Sequence, residues 1–166
     1  MNTQRDGLAK YPNSFAYNKE IALAFADMFE QQDFQFHVTA NFNRKTTLNN
    51  GRDKLKVWSS RLDRKLFGSR YYKKGIDDRI FFVAVPEYGD TSLNLHYHML
   101  IRIPENRHAI FNQLAESIWK EFNPTGSLYI QSIGDTSNDR RKVIGYDLKD
   151  AWKNDCHENI IFSSEF

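Results

Sequence analysis

Two histidines two positions apart are the first residues of this sequence whose types and spacing could do chemistry. His96 and His98 stand inside the extended apolar run LNLHYHMLIRI (93–103). Because successive side chains of a β-strand point to opposite faces, a strand over this run places both imidazoles on the same face. Imidazole is a common ligand of divalent metals. The pair is therefore a candidate for one half of a metal site.

A carboxylate is expected beside these histidines. Glu87 ends the preceding predicted strand RIFFVAVPE (79–87), and the turn-like stretch YGDTS (88–92) joins the two strands. Paired strands lie about 5 Å apart, so a hairpin brings Glu87 close to His96. Two imidazoles and one carboxylate suit Mg²⁺ or Mn²⁺ with positions left open for substrate oxygens, and Zn²⁺ accepts the same ligands. The sequence predicts a divalent metal bound by Glu87, His96 and His98.

Tyr146 and Lys149 form the second candidate group. They lie one turn apart on the predicted helix RRKVIGYDLKDAWK (140–153), on the side opposite its apolar stripe. A phenol with a pKa of about 10 is a weak nucleophile at neutral pH, and a neighbouring ammonium favours the phenolate. An exposed Tyr-x-x-Lys pair with no function is the alternative. The stripe expected to face a sheet comprises Ile144, Leu148, Ala151 and Trp152.

The remaining patterns predict how these groups are positioned. A helix over 14–32 precedes a strand over 34–42 and a basic helix from Asn49 to Gly68. After the hairpin come a helix over 105–122, a strand over 127–133, the helix over 140–153 and a strand over 158–164. This order predicts an α+β fold of the split-βαβ, ferredoxin-like type, an antiparallel sheet with helices packed on it. We expect a single domain over 1–166, with 1–33 as an N-terminal helical extension.

Composition excludes several classes of protein. Cys156 is the only cysteine, which rules out an intramolecular disulfide and a thiolate-rich zinc site. The N-terminal stretch is polar, unlike a signal peptide, and no apolar run approaches the roughly 20 residues that cross a bilayer. We therefore expect a cytoplasmic protein without a membrane partner.

Charge is strongly segregated along the chain. The segment from Arg44 to Arg79 carries 12 Lys or Arg against 4 Asp or Glu, while the whole chain has a net charge of only +2. A solvated helical face explains part of this, and a phosphate-rich partner explains the segregation better. Tyr71 and Tyr72 are candidates for stacking on bases. The predicted backbone-contacting residues are Arg44, Lys45, Arg52, Lys54, Lys56, Arg61, Arg64, Lys65, Arg70, Lys73 and Lys74. His37 is expected to be a packed strand residue, and His108 and His157 surface residues.

The ordered set of motifs resembles the HUH endonuclease superfamily, whose members include rolling-circle replication initiators, conjugative relaxases and single-strand transposases. FHVTANFNR (36–44) looks like its first motif, LHYHMLIRIP (95–104) is similar to its metal motif, and YDLK (146–149) is similar to its Tyr-x-x-Lys motif. The resemblance implies an HUH-type nuclease domain that nicks DNA to initiate rolling-circle replication. His96, His98 and Glu87 would bind the metal, Tyr146 would be the nucleophile and Lys149 its helper. Cleavage would leave a 5′-phosphotyrosine and a free 3′-OH.

The single tyrosine and the acidic third ligand resemble replication initiators more than relaxases. The expected partner is single-stranded or hairpin DNA at an origin. Because the sequence has no GxxxxGK[ST] phosphate-binding loop, either a host helicase is recruited or the chain is a piece of something longer. The alternatives are a relaxase or transposase of the same superfamily, a non-catalytic nucleic-acid-binding domain, and a metal-dependent hydrolase of a small phosphorylated substrate.

Overall fold

The secondary structure follows the order expected from the hydrophobic patterns. A computed structural model describes residues 14–89, 94–149 and 159–166, which form four α-helices and five β-strands. In chain order these are α1 (Ser14–Glu30), β1 (Phe36–Asn41), α2 (Leu48–Phe67), β2 (Phe81–Tyr88), β3 (Leu95–Arg102), α3 (His108–Phe122), β4 (Ser127–Ser132), α4 (Ser137–Leu148) and β5 (Ile161–Phe162).

Most element boundaries lie within a few residues of the predicted ones. α4 begins at Ser137 instead of 140, because the Thr136 side chain accepts a hydrogen bond from the Asp139 N–H and caps the helix there. The last predicted strand is reduced to the two residues of β5. Parts of four predictions lie outside the described residues: the N-terminal extension over 1–13, the turn over 90–92, the end of the last helix with Ala151, Trp152 and Lys153, and His157.

The five strands form one antiparallel sheet in the order β4-β1-β3-β2-β5. The central strand β3 pairs with β1 so that Thr39 lies opposite His98 and Asn41 opposite His96. The β2–β3 hairpin sets Glu87 opposite His96 and, at the far end, Phe81 opposite Arg102. The fold is therefore α+β, with an antiparallel sheet as predicted.

Helices cover both faces of the sheet. On one face α2 and α3 pack over the side chains of Phe36, Val38 and Ala40 and their neighbours on β2 and β3. The inward residues of α2 are those predicted from its helical period: Leu55, Trp58, Leu62 and Leu66, all buried.

The second face carries α1 and α4. The hydrophobic core on this face contains Phe29 of α1, Ile144 and Leu148 of α4, and Val83, Val85 and Leu100 of the sheet. Alternation along the strands thus sends the odd residues of β1 and the even residues of β3 towards α4. His37, Thr39, His96 and His98 belong to this face.

Two predictions about individual side chains are wrong. The helical period over 14–32 predicts an apolar stripe of Ile21, Phe25, Met28 and Phe29, but Met28 is 38% exposed, whereas Phe29 is fully buried. His108 was expected on the surface, yet it is half-buried: its Nε2 lies 3.0 Å from the Ile103 carbonyl oxygen, and its ring meets that of Phe36 edge-on. The described helices include none with an apolar stretch long enough to cross a membrane.

Candidate active site

The predicted metal ligands converge at one end of the β2–β3 hairpin. Because Glu87 and His96 are direct cross-strand neighbours, the carboxylate reaches both imidazoles. Glu87 Oε2 lies 2.8 Å from His98 Nε2 and 3.5 Å from His96 Nε2. One donor atom from each of the three side chains lies within 4.8 Å of the other two. Strand alternation and hairpin register therefore assemble the three groups as the sequence predicts.

The chemistry of these donors fits a divalent cation. Carboxylate oxygen and imidazole nitrogen together bind Mn²⁺, Zn²⁺ and related ions, and three protein ligands leave positions open for substrate. Burial lowers the pKa of His98, although the charges of Asp147 and Glu87 act in the opposite direction. A lowered pKa keeps the imidazole neutral, which is the form that coordinates a metal.

The nucleophile candidate lies beside this cluster. Tyr146 is 49% exposed on the outer half of α4, while its helix neighbours Ile144 and Leu148 are buried, as the helical period predicts. Its ring meets the ring of His98 edge-on at 5.4 Å between centroids. Lys149 Nζ lies 3.7 Å from the centroid of the Tyr146 ring, over its face. The lysine therefore places its positive charge directly against the phenol.

A cavity of about 400 Å³ opens between α4 and the strands β1, β3 and β4. Tyr146 and His98 both line it, so the candidate nucleophile and one candidate metal ligand share a single cavity. The other lining residues are His37, Thr39, Tyr129, Gln131, Lys142 and Val143. Tyr129 is 59% exposed and Lys142 is exposed, so the rim offers an aromatic surface and a positive charge.

The sequence-based interpretation missed the part that two residues, His37 and Asp147, play in this site. His37 is buried, as expected of a packed strand residue, and its Nε2 also lies 2.8 Å from Asp147 Oδ1. Burial acts to lower the pKa of His37, and the hydrogen bond and charge of Asp147 outweigh it, so the net pKa is raised. His37 also stacks on His98, with ring centroids 5.6 Å apart and planes 7° from parallel.

A signal for both residues was present in the sequence. Asp147 follows Ile144 by three positions and precedes Leu148, so the helical period places its carboxylate on the apolar side of α4. His37 and Thr39 alternate with Phe36 and Val38, which puts polar side chains on the β1 face opposite the α2–α3 core. A carboxylate inside an apolar stripe requires a buried partner, and the polar face of a central strand can supply it.

The structure does not bring most of the predicted DNA-contacting residues to this site. α2 packs on the other face of the sheet, so its cations lie across the sheet from His98 and Tyr146. Several have protein partners: Arg52 pairs with Glu165, Arg61 with Glu121, and Lys54 Nζ donates to the Phe122 carbonyl oxygen. The α2 cations that are exposed are Lys56, Arg61, Arg64 and Lys65.

The two ends of the basic segment differ in their distance from the site. Arg44 and Lys45 are exposed and follow β1 at the end where Asn41 pairs with His96, which is the end nearest the candidate metal ligands. The loop with Arg70, Tyr71, Tyr72, Lys73 and Lys74 lies near the opposite end, where Asp77 is 2.7 Å from Arg102. Arg102 and His96 are six positions apart on β3, which corresponds to about 20 Å.

The tyrosines of that loop also differ from each other. Tyr71 is half-buried, with its hydroxyl 2.8 Å from Ser60 Oγ and the Arg79 guanidinium over its ring. Tyr72 is 63% exposed. Of the two tyrosines predicted to stack on bases, only Tyr72 has a side chain that is largely exposed.

No protein-family model, curated protein or solved structure matches this chain. Any function must therefore be argued from the geometry of the site.

Proposed function

We propose that this chain is a metal-dependent endonuclease of single-stranded or hairpin DNA, resembling the single-tyrosine replication initiators of the HUH superfamily. The observation that carries the proposal is the shared cavity: Tyr146 and His98 line the same space, and His98 belongs to a cluster of three convergent metal donors. These groups come from three separate elements, and two of them lie nearly fifty positions apart. A histidine pair and a surface tyrosine that share no function would not be expected to line the same cavity.

The topology also supports the proposal. The strand order β4-β1-β3-β2 with α2 and α3 on one face is what a split-βαβ, ferredoxin-like core requires. The face that α2 and α3 leave open is the one that carries the histidines, and α4 lies over it with Tyr146. Rolling-circle initiation is an expectation that follows from the resemblance, and a cytoplasmic location is one that follows from the hydropathy of the sequence. A recruited host helicase is one of the two alternatives raised by the missing GxxxxGK[ST] loop.

The roles of the residues follow from their positions. Glu87, His96 and His98 would hold a divalent cation, Mg²⁺ or Mn²⁺, which supplies Lewis-acid polarisation of a phosphate oxygen. The Tyr146 hydroxyl loses its proton and attacks phosphorus, forming the O–P bond of a phosphotyrosine. The bond from phosphorus to the 3′ oxygen breaks, and that oxygen leaves with the electron pair and takes up a proton. Lys149, whose Nζ lies against the Tyr146 ring, would offset the negative charge that builds on the phosphate.

Cations near the cavity can guide the DNA backbone. Lys142 lines the cavity, and Arg44 and Lys45 lie at the end of the sheet that carries His96. Each phosphate contact of this kind contributes sequence-independent affinity that falls with salt. Because α2 lies on the opposite face, a strand bound in the cavity would touch its cations only by passing round an edge of the sheet.

Trapping the covalent intermediate tests the proposal. The protein is incubated with Mn²⁺ and 3′-labelled single-stranded oligonucleotides of random sequence, and the products are separated on a denaturing gel. Because the label stays on the fragment that carries the new 5′ phosphate, we expect a slower labelled protein–DNA adduct. The adduct should be absent in EDTA and with Tyr146→Phe. DNA binding, followed by fluorescence anisotropy, should survive in Tyr146→Phe.

Tyr129→Phe is the matched control, because Tyr129 is also a half-exposed tyrosine lining the same cavity. It should still form the adduct. An adduct that persists in Tyr146→Phe would refute the role of Tyr146 as nucleophile, and one that persists in EDTA would refute the role of the cation. DNA binding with no adduct in the wild-type protein would favour the non-catalytic nucleic-acid-binding alternative.

A further inference from the structure

Asp147, the residue directly after Tyr146, is the least exposed ionisable group of the site. Its side chain has an exposed fraction of 0%. One carboxylate oxygen, Oδ1, lies 2.8 Å from His37 Nε2, and the other, Oδ2, accepts no hydrogen bond from the residues that the structure describes. Burying a carboxylate is costly unless nearby groups compensate it. The free-energy cost of burying Asp147 must therefore be offset by a role beyond α4, either in the packing of its neighbours or in the chemistry of the site.

The two ring nitrogens of His98 face two different environments. Nε2 points to Glu87 and so into the candidate metal cluster. Nδ1 lies 3.3 Å from Thr39 Oγ1 and 3.9 Å from Asp147 Oδ1. The hydroxyl and the carboxylate on this side favour the tautomer that carries its proton on Nδ1, because that N–H can be donated to Thr39 Oγ1 and is attracted by the negative charge of Asp147. The lone pair is then on Nε2, which faces Glu87.

His37 fixes the carboxylate in this position. Its ring lies parallel to that of His98, and its Nε2 donates to Asp147 Oδ1, so the carboxylate is held at the edge of both rings. The Tyr146 ring meets both imidazoles edge-on, at 6.2 Å from His37 and 5.4 Å from His98. One turn of α4 therefore carries both Tyr146, the candidate nucleophile, and Asp147, whose carboxylate faces the candidate metal ligand His98.

We propose that Asp147 and Thr39 are positioning residues that set the ring orientation and tautomer of His98 for cation binding, so that α4 couples the nucleophile to the metal cluster. This inference rests on the proposed function. Outer partners of metal-bound histidines commonly act in this way, and their loss typically weakens metal affinity about 10- to 100-fold. Neither residue binds the cation itself in this scheme.

Metal affinity, measured without DNA, tests the inference directly. We would titrate Mn²⁺ into the metal-free full chain and follow binding by isothermal titration calorimetry. Asp147→Asn should weaken binding about 10- to 100-fold. Thr39→Val, which keeps the shape of the side chain and removes the hydroxyl, should weaken binding in the same direction. Thr39→Ser, which restores a hydroxyl, should recover most of the affinity.

Asp63→Asn is the control for loss of a buried carboxylate in general. The Asp63 side chain is 1% exposed and bonded to Arg79, but it lies on α2, across the sheet from the site. We expect this variant to lose stability and to keep the Mn²⁺ affinity of the wild-type protein. Circular dichroism of every variant, without metal, verifies that the proteins compared are folded, and Thr39→Val replaces Asp147→Asn if the latter does not fold.

The outcomes separate this inference from the proposed function. If the wild-type protein binds Mn²⁺ and forms the DNA adduct, while Asp147→Asn and Thr39→Val bind Mn²⁺ with wild-type affinity, the positioning role is refuted and the proposed function stands. If the wild-type protein binds no Mn²⁺, both fail. His37, His98 and Asp147 also offer donor atoms that lie within 4.8 Å of one another. If Glu87→Gln leaves the affinity unchanged while Asp147→Asn abolishes binding, the cation is held by these three residues, and the positioning role is again refuted.

Discussion

Replacing His98 by alanine should abolish the stabilisation of this fold by Mn²⁺. His98 is the member of the candidate cluster with the most restricted side chain, because it is buried and its Nε2 lies 2.8 Å from Glu87. Its removal leaves His96 and Glu87, two partly exposed side chains at the end of a hairpin. Two such ligands bind a divalent cation far more weakly than three preorganised ones.

The size of the effect follows from linkage between binding and folding. A cation that binds only the folded chain stabilises it by about 2.7 kcal/mol when its free concentration is 100 times the dissociation constant. In a domain of about this length, each kcal/mol raises the melting temperature by about 2 to 4 °C. The wild-type protein should therefore melt about 5 to 11 °C higher in saturating Mn²⁺ than in EDTA. The unfolded chain should contribute little, because strand pairing is what brings Glu87 to the histidines.

The assay is differential scanning calorimetry of each variant with Mn²⁺ and with EDTA. His98→Ala should show no Mn²⁺-dependent shift, and His96→Ala a reduced one. His108→Ala is the matched control: His108 is a half-buried histidine near the opposite end of the sheet, with its Nε2 against the Ile103 carbonyl oxygen. This variant should melt lower in EDTA and keep the full Mn²⁺ shift. A wild-type shift that His98→Ala reproduces would mean that the ion binds elsewhere and would refute the site.

Two further predictions concern the stability of the fold. Gly126→Ala should destabilise the fold by about 1 to 3 kcal/mol in urea denaturation, because a Cβ there would overlap with Asn123 Nδ2 and lie 2.6 Å from Trp119 Nε1 and 2.7 Å from the Asn41 carbonyl oxygen. For Asp63, burial raises the pKa against the opposing hydrogen bond from the Ile80 N–H. The folded chain then binds this proton more tightly than the unfolded chain, so its contribution to the free energy of unfolding falls as pH rises from about 4 through the raised pKa. The stability difference between the wild-type protein and Asp63→Asn should decline over that range and then level off, and a pH-independent difference in urea denaturation would contradict the assignment.

The sequence alone determined the features that depend on local periodicity. Alternation along β3 put His96 and His98 on one face, and the short connection between β2 and β3 put Glu87 beside them. The helical period separated Tyr146 from Ile144 and Leu148, as found in α4. These predictions held because hydrogen bonding within a helix or a hairpin fixes side-chain direction without reference to the rest of the chain.

Tertiary structure alone decided which helix covers which face of the sheet and which distant side chains meet. The sequence marked α2 as basic, but only the packing of its apolar stripe showed that it covers the face opposite the histidines. The contact between His37 and Asp147 joins residues 110 positions apart, and no local pattern specifies such a pairing. The position of α2 and the contact between His37 and Asp147 both depend on which apolar surfaces pack against each other. That packing is determined by all the elements of the core together. Local periodicity can therefore identify the candidate ligands and nucleophile, and only the folded sheet shows what surrounds them.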